Sequence, residues 1–349
     1  MKVDKRSRDL LARLDVLGEV TKLQALELVD EVYTDGLRTA GEASALFELH
    51  RRLKGREPRW ERRFIDAVST FVLHHSEQSG GKPVVAHADW LIDTLQAQSG
   101  PPNDTETDLV AIVCDRAGFV PDRLARFALQ VVTGAIQRAG RADAWATERV
   151  RQVLGASLED GRTWISRFEA NQLLATNETI ASANNDPAWN DLFARAIANH
   201  LLASAHPAPK TAGDTLLRAL WFSGNKRSAS VLVREIAPSI GQGEWFTRIT
   251  RDTPHAAKAR AAARSRAKQE RQTFADTESR WFLKRLRWRE TVQTAASPAE
   301  EALVAFLNKE APGFTAALVA ISDHCATGSI APGSTGDGQD RTGPLTRGR

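Results

Sequence analysis

Two short elements carry residue types that could do chemistry. Asp35 and Gly36 stand ahead of Glu42, and Asp160 and Gly161 stand ahead of Glu169. A helix, an Asp-Gly turn and a glutamate opening the next helix would offer oxygen ligands to a hard cation such as Ca²⁺ or Mg²⁺. A tight Ca²⁺ loop places carboxylates at alternate positions ahead of its glycine and a bidentate glutamate at its end. Here Val, Tyr, Thr and Asp precede Gly36, and Ser, Leu, Glu and Asp precede Gly161. With so few acids at each turn, the expectation is weak divalent-cation binding at most. The structural reading carries more weight. Glycine ends one helix in the left-handed conformation, and glutamate favours the positive end of the next.

A second candidate is electrostatic. Between Lys258 and Arg289 there are eleven Lys or Arg and three acids, a local charge of +8, while the whole chain carries +4. Arg260, Arg264, Lys268 and Arg271 share a face if the segment is helical. Such a stripe could meet nucleic-acid phosphates, with binding that weakens steeply in salt. An anionic surface or an acidic partner would suit it equally, and the bland reading is a solvated Ala-rich helix.

Other chemistry is poorly served. His74 and His75 are adjacent, and His87 follows in the next loop, so no pair has the spacing of helical zinc ligands. No phosphate loop, dinucleotide fingerprint, nucleophile elbow, HExxH or CxxC occurs. Cys114 and Cys325 are too few and too far apart for a disulfide framework, which suits a reducing compartment. The chain starts with charges throughout and has no apolar stretch long enough to span a membrane. We read it as cytoplasmic and non-enzymatic.

These residues are positioned by elements that repeat. Trp60, Phe64 and Ala67 match Trp189, Phe193 and Ala196, 129 residues further on. Each trio follows the order Asp-Gly, then Glu-Ala. Downstream, Trp90 matches Trp281, and Glu106, Leu109, Val110, Ala111 and Ala117 match Glu300, Leu303, Val304, Ala305 and Ala311 at an offset of 194. The repeat predicts an internal duplication, with about 65 extra residues in the second half between Ala196 and Trp281.

Apolar residues recur at helical spacing almost throughout. Trp60, Phe64, Ala67, Val68 and Phe71 form one core-facing stripe. Breakers such as "SGPPND" and "NNDP" punctuate the helices, and "TETDL" and "SPAEEAL" read as N-terminal caps. The expected fold is all-α: two related helical bundles with a basic helical insertion in the second. The N-terminal helix covers 1–19, the bundles cover 20–140 and 150–325, and the insertion lies at about 205–277. The Gly-, Pro- and Ser-rich tail 326–349 is expected to be disordered.

A helix, an Asp-Gly turn, a Glu-led helix and a packed apolar helix, repeated, resembles the tellurite-resistance TerB-like family. The resemblance covers roughly 30–110, 155–205 and 278–320. It implies small all-helical domains associated with stress and a metal role for Asp35, Glu42, Asp160 and Glu169. The expected function is a helical binding or scaffold protein with a protein partner, in a bacterial stress or envelope-related response. The alternative is a nucleic-acid-associated protein acting through 255–290.

Overall fold

The computed structural model describes residues 5–17, 21–53, 57–73, 85–160, 162, 164–201, 218, 222, 281 and 297–310. These residues form eleven helices and no strand. In chain order they are α1 (Lys5–Leu17), α2 (Lys22–Val32), α3 (Ala40–Arg52), α4 (Pro58–Leu73), α5 (Val85–Gln96) and α6 (Asp104–Arg116). There follow α7 (Asp122–Ala139), α8 (Ala144–Gly155), α9 (Arg167–Thr179), α10 (Pro187–Leu201) and α11 (Pro298–Glu310). The all-α expectation therefore holds. The insertion at 205–277, apart from Arg218 and Phe222, and the tail 326–349 lie outside the described residues.

Four helices start in one way. The side chain of Thr39, Asn103 or Ser166 accepts the N–H of the glutamate three residues on, at 3.2, 3.0 and 3.3 Å. Ser297 does the same for Glu300 at 3.4 Å. Each glutamate reaches back to a backbone N–H: Arg38 for Glu42, Asn103 for Glu106, Ser166 for Glu169 and Ser297 for Glu300, at 2.6–3.0 Å. At Asn103, Ser166 and Ser297 the bonds close a reciprocal capping box, whereas Glu42 reaches one residue past its cap Thr39 to the Arg38 N–H. All four glutamates are buried.

The repeated trio is core. Trp60, Phe64 and Ala67 on α4 are buried, as are Trp189, Phe193 and Ala196 on α10. Each indole makes a bond that sequence reading missed. Trp60 Nε1 donates to His50 Nδ1 at 3.0 Å, and the other ring nitrogen of His50 lies 3.4 Å from the Asn103 amide. Trp189 Nε1 donates to Asn177 Oδ1 at 3.2 Å, and Asn177 Nδ2 donates to Ser297 Oγ at 3.0 Å. In both places a buried Trp is wired, through the residue eight positions after a Glu, to the residue that caps a later helix. The second tryptophans are also alike. Trp90 meets Phe71 edge-on at 5.2 Å, and Trp281 meets His200 edge-on at 5.3 Å.

The described helices pack across the middle of the chain. α8 packs on α6, α7 packs on α6, α8 and α9, and α10 packs on α8, α9 and α11. α1 packs on α2 and α3. The α6–α7 and α8–α9 connections meet in one bridge, with Val120 N–H donating to Ser157 O at 2.7 Å. No described helix is long and apolar enough to cross a membrane. Cys114 is fully buried, and burial, with Asp115 nearby, pushes its thiol up to about 12, which leaves it inert.

The two relays should respond differently to acid, because only the first contains a titratable group, His50. His50 stacks on Phe64 with centroids 4.1 Å apart. Burial, with repulsion from Lys22 and Arg51, pushes its imidazole down to about 4 against an upward pull from Asn103. The folded value lies below the unfolded one, so the unfolded state takes up the proton first. Stability is unaffected above about pH 6.5 and falls as pH drops from there toward 4. At about 1.4 kcal/mol per unit, the loss is about 3 kcal/mol. Urea melts of His50→Asn, which copies the Asn177 wiring, should show a smaller loss than wild type between pH 7 and pH 4.5. An unchanged loss would place the acid sensitivity elsewhere.

Candidate functional site

Glutamates buried at helix starts need positive partners. Three of them meet an arginine that also binds the carbonyl end of the preceding helix. Arg6 lies 3.3 Å from Glu42 Oε1, donates to Val32 O at 2.9 and 3.1 Å, and donates to Gly36 O at 3.3 Å. Arg218 lies 2.5 Å from Glu169 Oε1 and donates to Leu154 O and Trp164 O, both at 2.6 Å. Arg51 lies 3.3 Å from Glu106 Oε1 and donates to Thr94 O at 3.1 Å. Each guanidinium thus answers two negative features at one helix–turn–helix corner: a carboxylate, and carbonyls at or near a helix C-terminus. Burial pushes the Glu169 carboxyl up. Arg218, the Ser166 N–H and hydroxyl, and Arg162 outweigh it and hold the group below the usual carboxylate range.

The sequence-predicted acids do not converge. Asp35 is exposed and paired with Arg38 at 2.7 Å, whereas Glu42 is buried against Arg6. Gly36 adopts the left-handed conformation at φ +79°, in the turn beyond the α2 cap at Tyr33. Asp160 is half-exposed and accepts the Arg162 N–H at 3.0 Å, whereas Glu169 is held by Arg218. Gly161 lies outside the described residues. The oxygens that a cation would need are engaged by guanidinium and backbone N–H groups, so these residues as placed do not fit Ca²⁺ or Mg²⁺. Among the described residues, no group of three or more His, Cys, Asp or Glu is arranged to hold a metal.

Asp35 instead lines a groove of about 470 Å³ between the α2–α3 turn, α4 and the start of α5. Arg38, Arg63, Asp66, Ala67, Phe71 and His87 also line it. Its charges are already paired near the surface: Arg38 with Asp35, Arg63 with Asp30 at 2.5 Å, and Asp66 with Arg116 at 3.1 Å. His87 stacks on Phe71 at 4.3 Å. Exposed pairs of this kind contribute about 0–1 kcal/mol each, so a ligand can replace one partner at little cost.

Arg260, Arg264, Lys268 and Arg271 lie outside the described residues, so nothing places their stripe. Trp281 packs against Arg167, whose guanidinium carbon lies 5.2 Å from the ring centre. Sequence reading missed Arg6, Arg51, Arg218, His50 and Asn177. A signal existed for the last two, since each falls eight residues after the Glu of its repeat. Comparison with protein-family models, with characterised proteins and with solved structures gives no match to this chain.

Proposed function

We propose that this chain is a non-enzymatic helical binding or scaffold protein, of the stress- or envelope-related kind that the TerB-like resemblance implies, acting in the cytoplasm on a protein partner. We also infer that its halves descend from one duplicated unit. The matched Trp relays and arginine corners support that reading. One observation carries the functional proposal. The buried carboxylates that acid–base or metal chemistry would use are committed to arginines and helix starts, while exchangeable ion pairs rim the α2–α4–α5 groove. A second reading, phosphate binding through 255–290, is supported by the local charge of that segment.

The test compares wild type with Arg38→Glu/Arg63→Glu, after circular dichroism has shown equal helicity. Each is used to recover associated proteins from its native host under crosslinking. A specific protein recovered with wild type and lost from the variant supports the groove as the working surface. Identical recovery from both overturns that assignment.

A further inference from the structure

The Arg6 and Arg218 corners are the same site filled from opposite chain directions. In both, the acceptors are a buried glutamate at the third position of a helix, a carbonyl in the last turn of the preceding helix, and a carbonyl in the turn between. In both, the residue four places after the arginine is a buried apolar side chain, Leu10 or Phe222. Yet Arg6 precedes its glutamate, whereas Arg218 follows its own by 49 residues. Order and separation along the chain therefore do not select the occupant. Three converging acceptors and an apolar seat one helical turn away do.

The two occupants are held unequally. The Arg218 side chain is 1% exposed, and that of Arg6 is 28% exposed. Among the described side chains of α1, Ser7 and Leu10 are the buried ones, and Val16 is 87% exposed. A helix with few buried contacts opens at lower free energy than the core around it. Were α1 to lift away, it would leave a carboxylate and two carbonyls in a geometry suited to the planar fork of a guanidinium.

We propose that the corner formed by Glu42, Val32 O and Gly36 O is an exchangeable binding site for an arginine-bearing amphipathic helix of pattern Arg-x-x-x-Leu or Arg-x-x-x-Phe, with α1 as its resident occupant. The proposal rests on the binding reading above and adds to the groove a second binding surface at the α2–α3 corner, where the arginine of the Glu42–Arg6 pair, more exposed than that of Glu169–Arg218, is the exchangeable partner of a buried carboxylate. A partner helix of this pattern would displace α1 and take over its three polar bonds and its apolar seat.

The probe is a fluorescein-labelled peptide of residues 5–17, followed by anisotropy with the full chain carrying Arg6→Gly, which weakens the resident helix. Saturable binding at least tenfold tighter than to wild type, and tenfold weaker after Glu42→Gln is added, is the expected result. A peptide with lysine at the Arg6 position should lose a similar factor, because an ammonium cannot fork between the acceptors. Should Arg6→Gly lose its helicity, the Arg6→Lys chain serves with the same expectations. No saturable binding to a folded variant, or equal binding with and without Glu42, overturns the proposal. That failure, with groove-dependent recovery intact, removes this ligand class and leaves the binding reading standing. Failure of both experiments removes the binding reading itself.

Discussion

Replacing Arg218 with alanine is expected to cost the fold about 3–5 kcal/mol, the range for removing one partner of a buried ion pair. The guanidinium is 1% exposed and answers Glu169, Leu154 O and Trp164 O together. Its loss leaves a buried carboxylate without its cation and two carbonyls without their donors. Urea denaturation followed by circular dichroism measures the deficit. The pH dependence identifies its source. In wild type the Glu169 carboxyl is held below its ordinary value, so its stabilisation is present at neutral pH and is lost as pH falls through the folded value. In Arg218→Ala the same carboxyl loses its nearest cation while burial still opposes its charge, so it should take up a proton at higher pH than in wild type. The gap between variant and wild type should therefore narrow toward pH 4. A gap of under 1 kcal/mol at pH 7 would mean that the corner contributes little to the fold. A second control is Arg218→Met with Glu169→Leu, which should recover much of the loss, since apolar replacements of a buried pair are often neutral or better.

Trp189→Ala should be comparably severe, about 3–5 kcal/mol, because it opens a large void beneath α10. Trp189→Phe separates volume from wiring. It retains most of the ring but removes the N–H that Asn177 Oδ1 accepts, a loss of about 1–3 kcal/mol. Asn177 also donates to Ser297, which caps α11, so the defect should spread to a helix more than a hundred residues away. A double-mutant cycle of Trp189→Phe with Ser297→Ala tests this. Non-additivity of 0.5 kcal/mol or more is expected for residues joined through one bridging side chain. Simple additivity would show that the two bonds share Asn177 without being coupled.

Particular residues show which parts of the fold and site were legible. The helical class was legible because the apolar spacing of Trp60, Phe64, Ala67 and Phe71 is a local property of a 3.6-residue period. The four glutamates were legible near helix starts because a cap is closed within about four residues, although α6 is capped by Asn103 rather than within "TETDL", and Glu42 reaches past its cap to the Arg38 N–H. The Asp-Gly turns were found, but their carboxylates suggested a cation where the fold supplies arginine. The sequence marks where a glutamate opens a helix and marks neither its burial nor the positive group that comes to it.

Sequence by itself determined whatever is satisfied within one or two helical turns: the helices, their caps, the core stripe and the recurrence of Trp and Glu. Tertiary structure alone decided the partners. Glu42 meets Arg6 from a helix that precedes it, and Glu169 meets Arg218 from a segment that follows it. His50 and Asn177 occupy the same place in their relays, although their types look unrelated. The physical reason is that a buried carboxylate needs a nearby cation and an indole N–H needs an acceptor of suitable reach. Neither requirement prescribes a sequence separation, so packing chooses among every residue the chain can bring into contact.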